Sequence, residues 1–341
     1  MKAVIFHHYD DVRVEDVPIP VIGPGELLVQ PAGCGLCGSD LAKIIGREAP
    51  PVILGHELAG RVVALGEGVS GFAPGDRVVV AHHVPCGACH YCRHGNPSMC
   101  AAFKASNIYP SGFAEYVRVP AENTCQTTFL LPESLSDEEA SFTEPLACVV
   151  RAVRRSALLP GDTALVIGLG SIGLQIAQAL KALIEDLAVI GIDLREDRLA
   201  LGRRLGLDLV LRADAFDLAE QARAETLRRG VDVAILTAGG ASAIQQALGL
   251  LRAGGMLNIF ACPPALVAPL DFSAIYHREV TVTASYSSSP ADLRVALELL
   301  AGGKVRVADL ISHRLELVRF HEGLELARTQ AALKVYIVNQ A

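Results

Sequence analysis

The hydrophobic pattern changes character partway along the chain. Up to about residue 120, short apolar runs at 3–6, 26–30, 58–64 and 76–80 are separated by Gly23-Pro24-Gly25, Gly66-Glu67-Gly68 and Ala73-Pro74-Gly75. Brief runs between turn residues predict short strands in a small β-rich domain. Beyond Pro160, apolar runs at 163–167, 189–192, 209–211, 233–236, 256–260 and 280–284 alternate with segments of helical character. That rhythm implies right-handed crossovers and a parallel, doubly wound sheet. A helix is predicted over about 292–300, followed by a last strand at 333–338. This closing piece is too short to be a domain, so it is expected to rejoin the β-rich part. At 341 residues, two domains are the natural count.

Three stretches carry no charge, 163–180, 233–251 and 253–270. They approach the length of a bilayer span, but Gly168, Gly170, Gly173, Gly239, Gly240, Pro263 and Pro264 break them and the chain has no Trp. They predict strands, glycine turns and helix starts in a water-soluble core, with no membrane partner. The start, Met1-Lys2-Ala3, runs into Asp10-Asp11 with no long apolar segment, so a cytoplasmic location is expected. The 30 Lys and Arg against 37 Asp and Glu leave a net charge of −7 with no basic run. That balance argues against nucleic-acid binding and favours a small neutral substrate.

The first uncharged stretch holds Gly168-Leu169-Gly170-Ser171-Ile172-Gly173 at the end of a predicted strand. One glycine there makes the tight turn, the second admits a pyrophosphate against the backbone, and the third lets helix and strand pack closely. The helix-start amides around Ser171 and Ile172 face the phosphate charge. The next strand ends in Asp193, where a carboxylate can accept hydrogen bonds from an adenosine ribose. A 2'-phosphate there meets charge repulsion, so NAD is expected over NADP. Arg195 is the residue able to reverse that preference, and a plain strand-end cap is the alternative role for Asp193.

The nine cysteines lie at 34, 37, 86, 89, 92, 100, 125, 148 and 262, clustered rather than spread as a disulfide framework. Cys86, Cys89, Cys92 and Cys100 can close a sulfur tetrahedron around a structural zinc, with an iron–sulfur cluster as the competing reading. His90 and His94 then remain solvated loop residues. A scattered set, Cys37, His56, Glu57 and Glu144, combines thiolate, imidazole and carboxylate, which can hold a zinc with one position open. Each member alone also has a structural reading as a core thiol, a turn histidine or a helix-start acid.

Gly55-His56-Glu57-Leu58-Ala59-Gly60, followed by Gly66 and Val69, then Gly75-Asp76-Arg77-Val78, the four-cysteine loop and the glycine turn, form an ordered set. In these the chain resembles the zinc-containing medium-chain dehydrogenase/reductase family, sorbitol dehydrogenase-like members included. The resemblance implies an α/β protein: a GroES-like β-rich catalytic domain with an inserted Rossmann doubly wound parallel sheet domain. The expected boundaries are 1–145 with 287–341 returning to it, and 146–286 for the Rossmann part. It implies two zincs per chain and NAD. Cys37 and His56 are the implied catalytic zinc ligands, and Glu57 and Glu144 share the remaining roles, which of the two binds directly being left open. Ser39 is the implied proton acceptor, and Arg198 the implied residue over the adenine.

At the position where many relatives carry a relay histidine, this chain has Ala42, which leaves the proton exit open between Lys43 and water. The loop 106–109 is expected to border the substrate, with Asn107 a candidate partner for a second hydroxyl and Tyr109 equally a packed aromatic. The expected activity is hydride transfer between a secondary alcohol, a polyol or sugar alcohol, and NAD. Threonine dehydrogenase-like oxidation, a zinc-free quinone reductase and a non-catalytic nucleotide or redox sensor are the alternatives. A homo-oligomer, dimer or tetramer, is expected from the resemblance.

Overall fold

The computed structural model describes residues 1–46, 52–262 and 266–339. The turn expected at Pro263-Pro264 lies outside them. The described chain divides into two units, one of residues 1–147, 288–301 and 307–341, the other of 148–287 and 302–306.

The first unit opens with β1 (Lys2–His8) paired antiparallel with β2 (Asp11–Asp16). The apolar pattern missed β2 because only Val12 and Val14 alternate with charge. Then come β3 (Leu27–Gly35), β4 (Glu57–Leu65), β5 (Arg77–Val80), β6 (Val117–Val119) and β7 (Thr128–Leu130). Alternation along β3 and β4 sends Leu27, Val29, Leu58 and Val62 into a core shared with Val78, Val80, Phe113 and Phe320.

The second unit contributes β8 (Thr163–Ile167), β9 (Ala188–Asp193), β10 (Leu209–Arg212), β11 (Val231–Leu236), β12 (Leu251–Ile259) and β13 (Thr281–Ala284). They form one parallel sheet in the order β10-β9-β8-β11-β12-β13. In this doubly wound arrangement the order reverses between β8 and β11. Every residue of those two strands is buried, which explains their largely apolar sequence; the exceptions are Thr163 and Asp232, joined by a hydrogen bond from Thr163 N to Asp232 Oδ2 at 2.8 Å. β12 begins at Leu251, before the predicted 256, because Gly254-Gly255 read as a turn although they lie within the strand.

The chain then returns to the first unit with β14 (His313–Glu316) and β15 (Val335–Val338), and that sheet runs β14-β15-β3-β4-β5-β7 with β6 beside β3. The register matters for the chemistry: Gly35 at the end of β3 faces Glu57 at the start of β4 and Tyr336 of β15. Three distant segments therefore converge at one end of the sheet. Among the described residues no helix is long and apolar enough to cross a membrane.

Candidate active site

Cys37 follows β3 directly and is the N-cap of the helix Gly38–Ile45. Its Sγ accepts from Ser39 N at 3.5 Å, and its own N–H donates to Asp40 Oδ2 at 3.1 Å. Asp40 is fully buried, and its Oδ1 accepts from Gly55 N at 2.9 Å. One carboxylate thus ties the Cys37 turn to the Gly55-His56-Glu57 turn. Sequence reasoning passed over Asp40; its signal was the capping-box spacing of three residues from Cys37. His56 and Glu57 are buried, and candidate ligand atoms of Cys37, His56 and Glu57 lie within 4.8 Å of one another.

Burial works against an imidazolium at His56, but the Asp40 carboxylate and then Cys37 outweigh it and hold its pKa well above the usual value. His56 Nδ1 stands 3.5 Å from Asp40 Oδ1, an ionic contact without hydrogen-bond geometry. Glu57 forms an ion pair with the buried Lys334 ammonium, just before β15, through Oε2. Neither Glu57 oxygen has a properly formed hydrogen bond. Buried polar atoms left so demand a partner, and thiolate, imidazole and carboxylate are the donors of a catalytic zinc. The residues fit that metal. Glu144, buried in the first turn of the helix Thr143–Arg155, is not in the close group. Lys334 carried no sequence signal at all, since only the pairing of β15 with β3 brings it here.

The four cysteines of 86–100 also lie within 4.8 Å of one another. Cys89 caps the short helix His90–Arg93, and Cys100 caps Ala101–Ala105. Cys86 N donates to Cys100 Sγ and Cys89 N to Cys86 Sγ, both at 3.4 Å. Cys89 and Cys92 sulfurs are 3.5 Å apart, close to the roughly 3.8 Å edge of a tetrahedron with zinc–sulfur bonds of about 2.3 Å. The backbone amides of Cys86 and Phe103 bring Cys100 down to about 6, whereas lost solvation and neighbouring sulfurs push Cys92 up to about 12. Four sulfurs this close would repel one another as thiolates, and a bound cation would relieve that repulsion. His90 and His94 stack on each other at 4.0 Å outside the sulfur group.

In the second unit, Gly168 has φ +90°, and a Cβ on Gly173 would lie 1.8 Å from the Gly168 carbonyl oxygen. Those two glycines are therefore required by the turn itself. Gly170 differs: a Cβ there would meet only Arg198 Nη1 at 3.9 Å. Its bare face opens on the start of the helix Ser171–Leu183, whose N-cap supplies no side-chain hydrogen bond. This is the cradle a diphosphate needs, so the residues fit a dinucleotide. Thr237, missed by the sequence reading, holds the turn by donating toward the Ile167 and Gly168 carbonyls at 2.9 and 2.7 Å.

Asp193 accepts from Leu169 N at 2.7 Å and Arg195 N at 2.9 Å. It therefore caps the strand end and still has lone pairs for ribose hydroxyls. Arg198 lies 3.9 Å from the Asp193 carboxylate. The Arg195 guanidinium is held by Asp197 at 2.8 Å.

Ser39 is exposed, with Oγ 3.4 Å from His56 Nε2. Lys43 is half-buried and donates to the Ile53 carbonyl at 3.0 Å, so it is not a freely solvated lysine. Asn107 Oδ1 accepts from Ile108 N, and Tyr109 packs under the Arg118 guanidinium at 4.9 Å.

Comparison with known proteins agrees with this geometry. Residues 23–131 match the alcohol dehydrogenase GroES-like domain and 168–302 the zinc-binding dehydrogenase domain. The sorbitol dehydrogenase of Bacillus subtilis strain 168 is 33% identical over 335 residues, 96% of this chain and 93% of that one. A Sinorhizobium meliloti 1021 protein described as a zinc-binding dehydrogenase, solved bound to NADP, superposes with a TM-score of 0.89 at 32% identity, covering 99% of this chain and 98% of that one. The galactitol-1-phosphate dehydrogenase of Escherichia coli does so at 0.87 and 30%, covering 99% and 100%. The chain belongs to the zinc-containing medium-chain dehydrogenase/reductase family. Within it, the chain is a zinc-dependent dehydrogenase using a nicotinamide dinucleotide.

Proposed function

We propose that the enzyme oxidises a secondary hydroxyl of a polyol or sugar alcohol with NAD. The observation that carries this is the close group of half-buried Cys37 with buried His56 and Glu57, and the exposed Ser39 hydroxyl beside it. Cys37 and His56, with Glu57 or Glu144, would hold the catalytic zinc, and Cys86, Cys89, Cys92 and Cys100 would hold a structural one. Bound zinc supplies Lewis acidity that makes a substrate hydroxyl more acidic. Ser39 Oγ is placed to accept the hydroxyl proton, and a bound dinucleotide would supply the hydride acceptor. Ala42 has no group to pass the proton on and Lys43 is engaged with Ile53, so water carries it away from Ser39.

Gly168, Gly170, Ser171, Ile172 and Gly173 would cradle the diphosphate, Asp193 would accept from the ribose, and Arg198 would cover the adenine. Asp193 would repel a 2'-phosphate, and the Arg195 guanidinium is turned to Asp197, which supports NAD. The zinc-holding part is 1–145 with 287–341, apart from 302–306, which packs within the second unit, and the nucleotide-holding part is 146–286. The enzyme works in the cytoplasm as a homo-oligomer. The free edge of β13, flanked by exposed Phe272, Tyr276 and Tyr286, suits antiparallel pairing with β13 of a second copy.

The relatives named for sorbitol and galactitol-1-phosphate support the polyol class. Metal analysis followed by NAD and NADP reduction across polyols, simple secondary alcohols and threonine tests the reading. Two zincs per chain and polyol turnover with NAD are expected. Turnover on threonine alone, or tighter NADP binding, overturns it.

A further inference from the structure

The helix that opens at the dinucleotide cradle, Ser171–Leu183, carries two glutamines on its buried face. Gln178 uses both ends of its amide: Nε2 donates to the Arg306 carbonyl at 3.0 Å, and Oε1 accepts from Arg306 N at 2.9 Å. Gln175 does not. It has no solvent exposure, and its Oε1 is buried without a hydrogen-bond partner. A buried amide oxygen left unpaired costs free energy, and a leucine of similar size would avoid that cost. The reason for an amide here lies at its other end.

Gln175 Nε2 is 3.1 Å from the Ser171 carbonyl oxygen and 3.3 Å from Ser171 Oγ, one helical turn back. The carbonyl can only accept, so the atom facing it is the nitrogen and not the oxygen. One amide hydrogen serves the carbonyl and the other the hydroxyl oxygen. A hydroxyl that accepts still has its own hydrogen to give. Among the described residues nothing accepts that hydrogen.

Ser171 is the half-buried first residue of the helix, directly after Gly170, and its backbone amide is among those that helix geometry leaves without a partner. The hydroxyl and the amide of one serine stand side by side. An anion accepting from the amide therefore meets the hydroxyl as a second donor, provided its hydrogen is turned outward. Gln175 turns it outward, because the inward side of the oxygen is already accepting.

We infer that Gln175 is a positioning residue for the dinucleotide: by donating to Ser171 Oγ it commits the hydroxyl hydrogen to an oxygen of the diphosphate. The bond so formed is charge-assisted and stronger than a neutral one. A side chain sealed from the ligand thus strengthens its binding through the residue it orients. The inference rests on the reading of Ser171 as part of the cradle and is independent of which alcohol is oxidised.

The test measures, by calorimetry and by competition against NADH fluorescence, the binding of ADP-ribose, which carries the diphosphate, and of adenosine, which lacks it. Wild type, Ser171→Ala, Gln175→Leu and the double variant are compared. Ser171→Ala should weaken ADP-ribose binding about tenfold or more. Gln175→Leu should weaken it about threefold to tenfold, with a thermal midpoint equal to or above wild type because the unpaired oxygen is gone. Adenosine should bind all four proteins alike. In the Ser171→Ala background Gln175→Leu should have no further effect, since the hydroxyl it orients is absent. Unchanged ADP-ribose binding in Gln175→Leu overturns the role of Gln175, as does an equal loss for adenosine or a Gln175→Leu effect that persists in full without the hydroxyl. If Gln175→Leu does not fold, Gln175→Met takes its place with the same expectations. Ser171→Ala binding ADP-ribose as tightly as wild type defeats the reading of Ser171 itself.

Discussion

The two metal-type groups are built in opposite ways. The four-cysteine loop comes from one short stretch, offers sulfur alone, and is organised by its own backbone amides. The Cys37, His56 and Glu57 group comes from the ends of separate strands, mixes three kinds of donor, and is braced by Asp40 and Lys334 from the sides. A local sulfur cage fills its coordination shell and leaves no place for substrate, which suits a structural role. An assembled, mixed group leaves space and can be tuned by its neighbours, as Lewis-acid chemistry needs. Independence from the fold and openness to chemistry thus exclude one another here.

The sharpest way to break that contrast is Cys37→Ser. It should lower kcat by about 10³-fold or more, the several kcal/mol a Lewis acid contributes, while the sulfur cage keeps its zinc on metal analysis. Next is Lys334→Met, which leaves the Glu57 carboxylate buried and uncompensated. A loss of about 3–5 kcal/mol is expected in denaturant titration, largely recovered in Lys334→Met with Glu57→Gln. The pH dependence has a definite sign. Burial opposes the Lys334 charge, but Glu57 and Cys37 outweigh it and raise its pKa above 10.5. The stabilisation is therefore complete below that ordinary value and fades as alkaline pH passes the folded one. Flat stability through that range contradicts the pairing.

Asp40→Asn comes third. It keeps the size of the side chain but sets an amide where Cys37 N and Gly55 N both donate, so zinc affinity at the catalytic group should fall about tenfold to a hundredfold, read by competition with a chelator. The smallest effect on turnover is expected from Cys89→Ser. It should drop the thermal midpoint by about 5 °C or more, with kcat at low temperature near wild type. If Cys89→Ser depresses kcat as deeply as Cys37→Ser, the two groups are not separate in function and the contrast fails.

Legibility followed the same division. The glycine turn, β8, β9 and the sulfur loop could be read because the residues that act together lie close along the chain. Asp40 was within reach, since its capping relation to Cys37 spans one helical turn. Lys334 and Thr237 were not, because each acquires its meaning from a partner on another strand or loop. Tyr109 packs against Arg118, the aromatic role the sequence already allowed, and Asn107 Oδ1 accepts from Ile108 N.

Local chemistry and periodicity by themselves determined that this chain carries a β-rich part, a doubly wound part, a dinucleotide turn and a sulfur cage, since those features depend on spacings of a few residues. Only the tertiary structure decided which side chains surround the open metal group. The register of β3 against β4 and β15 brings Cys37, Glu57 and Lys334 to one buried end of a sheet, and no spacing along the chain encodes that pairing.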